Sequence, residues 1–196
     1  AHGSRRLGLG FTGLGDALVM LGIRYDSGPG RRCAADWMRA ICHAAYRASV
    51  ALARERGAFG FFDRDRYLAA PFVAALPPDI REGIAREGIR NSHLTAVAPT
   101  GTISLVADNV SGGIEPVFSA EYRRRVRDTD GSWQEHRVVD YAVARWRELR
   151  GDEGLPPAFV DAHQVAPEEH LAMQAAVQPY VDSAVSKTVN VPRHID

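Results

Sequence analysis

The sequence predicts an α/β fold, because short strand patterns alternate with helix patterns along the whole chain. The clearest strand pattern is an alternation over residues 93–98 that ends at Pro99. The clearest helix pattern lies between Pro29 and Gly57, where apolar residues recur at three- and four-residue steps. Strands that alternate with helices in this way favour parallel pairing.

The composition is typical of a soluble globular protein. The 196 residues are 45% hydrophobic and 24% charged, which fits one ordinary domain or a piece of a larger one. Lys plus Arg and Asp plus Glu both number 24, so no global field favours nucleic acid or an anionic membrane as a partner. No apolar run approaches the ~20 residues that span a bilayer. We therefore expect no nucleic-acid partner and no membrane association.

The cysteines and the first residues give information on the cellular compartment of the protein. Cys33 and Cys42 fit neither a zinc spacing nor a disulfide framework, so we expect no metal site and a reducing, cytoplasmic location. Residues 1–4 have no apolar core of a signal peptide and are interpreted as a possible expression remnant.

Residues 5–22 open the chain with a short strand pattern, a turn and a helix pattern. Gly8, Gly10 and Gly13 match the G-x-G-x-x-G spacing of dinucleotide-binding folds. The acidic residue about 20 positions further on would be Asp36, which lies inside a predicted helix. The dinucleotide interpretation is therefore disfavoured.

The long helix predicted between Pro29 and Gly57 contains both cysteines. Cys42 falls on its apolar stripe and is predicted to be a core residue. Cys33 lies near the helix start, where a thiolate could be favoured, but it has no partner cysteine nearby. We therefore expect a structural role for both.

The central stretch is a strand, a tight turn and a helix start. Strand residues before Pro99 lead into a Thr-Gly-Thr turn, and residues 103–107 form an apolar run that can be helical. The free N–H groups and positive dipole end of a helix's first turn can bind an anion, and a glycine lets the backbone approach a ligand closely. The alternative is an ordinary Thr or Ser N-cap. If the turn binds phosphate, the candidate residues are Pro99, Thr100, Gly101, Thr102, Ile103 and Ser104.

Residues 112–117 are predicted to form a second strand, and residues 121–139 a β-hairpin around Asp130-Gly131. Glu115 is interpreted as either a partner for an arginine or part of a substrate wall. The hairpin carries a basic cluster, which is either a solvated face or a phosphate or nucleic-acid site. This cluster consists of Arg123, Arg124, Arg125 and Arg127. Helices are predicted at 79–87, 140–150 and 167–183, followed by a final strand at 186–192.

The segment RNSHLTAVAPTGTISLVADN, followed by SGGIEPVFS, resembles the C-terminal half of the catalytic subunit of ribonucleotide reductases. It looks most like the class II type, which depends on adenosylcobalamin. Blocks at residues 5–22, 90–107, 112–125 and 186–192 resemble that family in the family's order, whereas residues 127–165 carry no recognised motif.

The resemblance implies a fold and a site. The family's catalytic domain is a ten-stranded α/β barrel made of two parallel five-stranded halves. Residues 1–196 would be a partial barrel domain that contains the second half, with an inserted β-hairpin at about 121–139. In the family, the APTGTIS turn lies under the nucleotide substrate and binds its phosphates, which corresponds here to residues 99–104.

The resemblance also implies what this chain lacks. The family reduces ribonucleotides to deoxyribonucleotides with a radical cysteine, two redox cysteines, an Asn and a Glu, all upstream of the block that begins at Arg5. Cys33 and Cys42 do not match those positions, so we expect no catalytic residue here and no activity from the chain alone.

Adenosylcobalamin is expected in the full enzyme and not on this chain alone. The expected partners are a ribonucleotide, the N-terminal half of the barrel or a partner subunit, and a second copy of the protein in a homo-oligomer. The alternative is a non-catalytic nucleotide- or partner-binding module that retains the reductase fold.

Overall fold

The computed structural model describes residues 2–151 and 154–191, and the chain divides into two compact units. Unit 1 contains the described residues of Ala1–Gly10, Arg32–Ala98 and Gln174–Ser186. Unit 2 contains the described residues of Phe11–Arg31, Pro99–Met173 and Lys187–Asp196.

The described residues form helices and one antiparallel strand pair. The α-helices are α1 (Leu14–Met20), α2 (Gly28–Arg56), α3 (Arg64–Ala69), α4 (Pro71–Ala74), α5 (Pro78–Glu87), α6 (Gly101–Val106), α7 (Tyr141–Arg150) and α8 (Pro167–Val177). A 3-10 helix follows at Gln178–Tyr180, and the strands are β1 (Glu121–Arg127) and β2 (Trp133–Val139). None of these helices combines the length and the apolar character that a bilayer crossing requires.

Helix α2 confirms the long helix predicted from the apolar periodicity. Its buried stripe includes Met38, Cys42 and Tyr46, and Gly57 follows its last turn with φ +78, as an αL C-terminal residue does. In unit 1, Cys42 packs in a core with side chains of α5 and of the aromatic segment around Phe59. Burial raises the pKa of the Cys42 thiol to about 12, so the predicted core role is confirmed.

The predicted central strand of unit 1 is paired on both sides. Thr95 forms a parallel bridge with Leu9, and Val97 forms a parallel bridge with Val185. Ala96 N donates to Leu9 O at 2.9 Å. Thr95 and Val97 are both buried, as expected for a strand with neighbours on either side. The predicted parallel pairing is confirmed at these bridges.

Unit 2 has a small core between α1 and α7. Val19, Val117 and Ala142 are buried together, and Val117 forms a parallel bridge with Asp161. Strands β1 and β2 pair in antiparallel register from Glu121 opposite Val139 to Arg127 opposite Trp133. Their connecting turn has Gly131 at φ +87, a conformation that glycine adopts without strain.

Three predicted elements are wrong or shortened. Residues 112–117 do not form a strand: residues 113–114 form a turn and Val117 forms a bridge, because Gly113 at φ +50 bends the chain and Pro116 has no N–H for a ladder. The final strand is not formed at 186–191, and Pro192 lies outside the described residues. The helix predicted at 167–183 ends as an α-helix at Val177, because Pro179 cannot donate a helical hydrogen bond.

Candidate functional site

Unit 2 contains a cleft of about 650 Å³ beside the start of α6. This is the size of a small-molecule site. Of the six candidate phosphate residues, Gly101, Thr102 and Ser104 line the cleft. Its other polar lining residues are Asn109, Ser111, Glu115, Ser119, Tyr122, Arg124, Asp140, Thr188 and Asn190.

The backbone turns sharply before α6. Thr100 has φ 51 and ψ 24, a left-handed conformation that is uncommon for a threonine. Its side chain makes no capping hydrogen bond to the helix, and Thr102 lies inside the helix. The side-chain hydrogen bond of an ordinary Thr or Ser N-cap is therefore not formed here, although Thr100 occupies the N-cap position of α6.

The hydroxyl groups of the turn have different partners. Thr100 Oγ1 accepts a hydrogen bond from Gly113 N at 2.8 Å and lies 2.8 Å from Thr12 Oγ1. Ser104 Oγ donates to Gly101 O at 2.8 Å and is buried. Thr102 is exposed beside the cleft. Two of the three hydroxyl groups thus stabilise the turn, and Thr102 is an exposed residue of the cleft lining.

A second layer of hydrogen bonds lies behind the turn. Thr12 Oγ1 donates to Ser111 O at 3.0 Å and accepts from Gly113 N at 3.2 Å. Gly13 N donates to the same Ser111 oxygen at 2.7 Å. The segment 111–113 is therefore tied both to the chain before α1 and to Thr100.

Asp16 of α1 fixes this layer in turn. Its Oδ2 accepts from Ser111 N at 2.6 Å, and its Oδ1 accepts from Ala142 N at 3.1 Å. Ser111 Oγ accepts from Gly15 N at 3.0 Å. A side chain at position 15 would meet Val117 N at 2.7 Å, so only glycine permits this close packing.

Asp140 lies against Asp16. It is the N-cap residue of α7, where its carboxyl accepts from Val143 N at 3.2 Å, and the preceding amide, Ala142 N, donates to Asp16 Oδ1 at 3.1 Å. Burial and the Asp16 carboxylate raise the pKa of Asp140 to about 7. Sequence reasoning missed this pair. An Asp before a helix pattern signalled the cap, but no signal joined it to Asp16.

Glu115 has a lysine as its partner, not an arginine. Its carboxylate makes an ion pair with Lys187, whose side chain is 1% exposed, and accepts from Thr188 N at 2.7 Å. Glu115 also lines the cleft. The structure thus gives it a place on the cleft wall and corrects the type of cation expected.

Lys187 has two further acceptors. Its Nζ donates to Thr188 O at 2.7 Å and lies 2.8 Å from His170 Nδ1. Since a protonated lysine can only donate, His170 Nδ1 is the acceptor and Nε2 carries the hydrogen that faces Ala162 O at 3.3 Å. Burial and Lys187 lower the pKa of His170, which keeps the ring neutral.

The basic cluster of the hairpin is mostly a solvated face. Arg123 lies 3.7 Å from Glu135, and the Arg125 guanidinium lies 5.2 Å from the centre of the Trp133 ring. Of the four arginines, Arg124 lines the cleft. It is therefore the member of the cluster that can contribute positive potential there.

Metal-ligating side chains are not clustered in the residues that the structure describes. These residues contain no group of three or more His, Cys, Asp or Glu side chains that could hold a metal ion. The half-buried Cys33 has its pKa raised by burial and by Asp36, so it is not an activated thiolate.

The comparisons with known proteins identify relatives over the whole chain. The profile of the ribonucleotide reductase barrel domain matches residues 1–196. The chain is 39% identical to a vitamin B12-dependent ribonucleoside-diphosphate reductase of Mycobacterium tuberculosis, an alignment that covers 98% of this chain and 28% of that protein.

More distant relatives share the same region. A vitamin B12-dependent ribonucleoside-diphosphate reductase of Thermoplasma acidophilum is 32% identical over 96% of this chain and 25% of its own length. The large subunit of a ribonucleoside-diphosphate reductase of Ostreid herpesvirus 1 is 29% identical over 98% of this chain and 27% of its length. The chain thus spans about a quarter of the length of these curated relatives. It belongs to the ribonucleotide reductase barrel-domain family.

Proposed function

We propose that the protein containing this chain is an adenosylcobalamin-dependent ribonucleotide reductase, and that the chain forms the part of its barrel that binds the substrate phosphates. The observation that carries the proposal is the family match over all 196 residues together with relatives named as vitamin B12-dependent reductases. The names of those relatives make a ribonucleoside diphosphate the proposed substrate.

Residues 99–104 are proposed as the phosphate subsite. The first helical hydrogen bond of α6 runs from Ser104 N to Thr100 O at 2.8 Å. In the described structure, the N–H groups of residues 101–103 have no protein acceptor, so they are available to an anion. A Cβ at Gly101 would meet no protein atom within 4 Å, which leaves this face of the turn open to a ligand.

The remainder of the subsite supplies charge and shape. Arg124 gives the cleft a cation, and Thr102 gives it an exposed hydroxyl donor. Thr100 and Ser104 hold the turn rigid through their own hydrogen bonds. Phosphate would thus be bound by backbone amides, one hydroxyl and one guanidinium.

The same proposal includes the larger assembly. The parallel bridges at Thr95, Val97 and Val117 support a place in the second half of a ten-stranded barrel. The other half, the radical cysteine and the contacts to adenosylcobalamin are proposed to lie outside this chain. When bound, the cofactor supplies the radical chemistry, whereas this chain binds and orients the phosphates. A cytoplasmic homo-oligomer completes the proposal.

The experiment is an activity assay on the full-length protein. With adenosylcobalamin, a dithiol and a ribonucleoside diphosphate, we expect the corresponding deoxynucleotide. The 196-residue chain alone should form none under the same conditions. Nucleotide binding without turnover by the intact protein would contradict the enzymatic proposal and would support a non-catalytic binding module.

A further inference from the structure

We propose that Asp16 and Asp140 hold one proton between them and that this acid pair positions the phosphate-binding turn. The role in positioning rests on the proposed function of residues 99–104, whereas the shared proton does not. Both residues act through other groups and are therefore positioning residues.

The geometry favours a shared proton. Asp16 and Asp140 are 2% and 3% exposed, and their carboxyl groups accept from successive amides at the start of α7, Ala142 N and Val143 N. A hydrogen bond between two carboxyl groups needs one hydrogen, since a carboxylate can only accept. Among the described residues, no cation contributes to the environment of Asp140, and its charged neighbour is the like charge of Asp16. Two carboxylates in contact cannot both remain ionised without a large cost.

The contacts favour Asp140 as the group that carries the proton. Both oxygens of Asp16 already accept backbone N–H groups, from Ser111 and from Ala142. Asp140 Oδ1 accepts from Val143 N at 3.2 Å, and burial and the Asp16 carboxylate raise the pKa of Asp140, which favours its protonated form. Asp140 is therefore the donor of the pair and Asp16 the acceptor.

The neighbouring ionisable groups are occupied by other partners. On the cleft wall, Glu115 is paired with Lys187, and Tyr122 donates to Asn109 Oδ1 at 2.6 Å. Glu121, at the start of β1, forms ion pairs with Arg137 of β2 and Arg147 of α7. On α7, Arg145 is also paired with Glu148. Arg124 is a cation on the same cleft as Asp140.

A continuous chain of hydrogen bonds joins the pair to the turn. Asp16 Oδ2 accepts a hydrogen bond from Ser111 N at 2.6 Å, and Ser111 O accepts one from the Thr12 hydroxyl at 3.0 Å. The Thr12 hydroxyl lies 2.8 Å from that of Thr100, the left-handed residue that sets the direction of α6. A displacement of Asp16 therefore moves Ser111 and releases Thr100.

The proton makes this positioning depend on pH. Burial and the neighbouring carboxylate raise the pKa of Asp140 to about 7. Above that pH the pair loses its proton, two like charges face each other, and the hydrogen bond between them is lost. The phosphate turn then becomes less well ordered, so the KM for nucleotide should rise on the alkaline side while kcat changes less.

Asp140→Asn tests this directly in the full-length enzyme. The Asn side chain keeps an acceptor for Val143 N and offers Asp16 a permanent N–H donor, as the protonated acid does. From about pH 6 to about pH 9, around the raised pKa, the parent's KM should rise several-fold and that of Asp140→Asn should stay flat. Asp128→Asn, in the exposed hairpin turn, is the matched control and should follow the parent. An equal rise in parent and Asp140→Asn, or a flat parent profile, would overturn the positioning role.

Asp16→Asn and infrared spectroscopy complete the test. The Asn amide would direct its NH₂ group at either Ser111 N or Ala142 N, so this variant should show a raised KM at every pH. Independently of any substrate, the parent at neutral pH should show the carbonyl band of a protonated carboxyl group that Asp140→Asn lacks. A parent without that band contradicts the shared proton even if the enzyme is active. A protein that shows the band but has no reductase activity contradicts the proposed function alone.

Discussion

Asp182 of unit 1 and Asp16 of unit 2 anchor backbone in the same way but differ in their third partner. Asp182 accepts from Leu94 N at 2.7 Å and from Thr95 N at 3.0 Å, and the Tyr46 hydroxyl donates to it at 2.7 Å. Asp16 also accepts two backbone N–H groups, but the group that lies beside it is the acid Asp140. The phenol of Tyr46 is a donor at ordinary pH, because burial raises its pKa further.

The difference shows that a carboxylate that accepts backbone N–H groups can be either independent of pH or dependent on it. A phenol donates without needing to bind an extra proton, so the anchor at Asp182 is expected to hold across the neutral range. A carboxyl group donates only when protonated, so the anchor at Asp16 depends on the protonation of Asp140. The sensitive anchor is the one beside the proposed phosphate turn.

The largest effect is expected from Asp182→Ala. The substitution leaves Leu94 N, Thr95 N and the Tyr46 hydroxyl without their acceptor, and hydrogen bonds to a charged group contribute about 1.5–3 kcal/mol each. We expect the free energy of unfolding to fall by about 4 kcal/mol, and by less for Asp182→Asn, which keeps one acceptor. Urea denaturation measures both, and a loss below about 1 kcal/mol would show that Asp182 is not an anchor.

Lys187→Met tests a third kind of partner, a cation. The substitution removes the buried ammonium that is paired with Glu115 and leaves that carboxylate without its charge partner. We expect a loss of about 3 kcal/mol, because breaking a buried pair from one side leaves an uncompensated charge. Glu115→Gln in the same protein should restore part of the loss. A double variant as unstable as the single one would argue against coupling between the two residues.

The pH dependence of stability separates the two anchors. The pKa of Asp140 is raised from 3.8 to about 7 in the folded protein, so its contribution is fully present below pH 3.8 and is lost as pH rises through about 7. Asp140→Asn removes that loss, and at about pH 8 it should be about 2 kcal/mol more stable than the parent. No such difference is expected for Tyr46→Phe, whose effect should be constant over the same range.

The contribution of His170 to folding stability depends on pH in the opposite direction, so it must be separated from that of Asp140. The pKa of His170 is lowered in the folded protein, so it contributes stability above pH 6.5 that is lost as pH falls through the lowered value. The difference between parent and Asp140→Asn cancels this contribution, because both proteins retain His170. A difference that does not change between about pH 5 and about pH 8 would contradict the raised pKa of Asp140.

The smallest effect is expected from Ser111→Ala. The backbone N–H that Asp16 binds is retained, and the loss is the hydrogen bond from Gly15 N to Ser111 Oγ at 3.0 Å. We expect a destabilisation of about 1 kcal/mol by thermal or urea unfolding. Asp16→Ala, which removes the acceptor of both Ser111 N and Ala142 N, should cost more; an equal loss in the two variants would show that the hydroxyl, not the backbone, transmits the position of Asp16.

Features set by neighbouring residues could be predicted from the sequence. Helix α2 followed from its apolar spacing, and the turn before α6 followed from Pro99 and Gly101. The strand predicted at 112–117 failed because the left-handed conformation of Gly113 is a property of its packing. Apolar residues next to glycine did not reveal that bend.

Features set by distant residues could not be predicted. Asp16 and Asp140 lie side by side because α1 packs against α7, and the sequence around either residue does not indicate that it contacts the other. The same holds for Thr12 and Thr100, whose contact removes the Thr100 hydroxyl from the expected donor set. The candidate turn was thus predictable, whereas the network that supports it was not.

Calorimetric titration of a ribonucleoside diphosphate into the full-length protein tests the phosphate assignment of residues 99–104 most directly. Gly101→Val places its Cβ where no protein atom lies within 4 Å apart from the adjacent residues and the backbone of α6, so a loss of affinity with an unchanged melting temperature reports on the ligand and not on the fold. Ala107→Val introduces the same side chain at the exposed C-cap position of the same helix, outside the cleft lining, and serves as the control. We predict that Gly101→Val weakens binding at least about tenfold, or about 1.4 kcal/mol, with an unchanged melting temperature, and that Ala107→Val binds like the parent. Binding of Gly101→Val as tight as that of the parent would contradict the assignment.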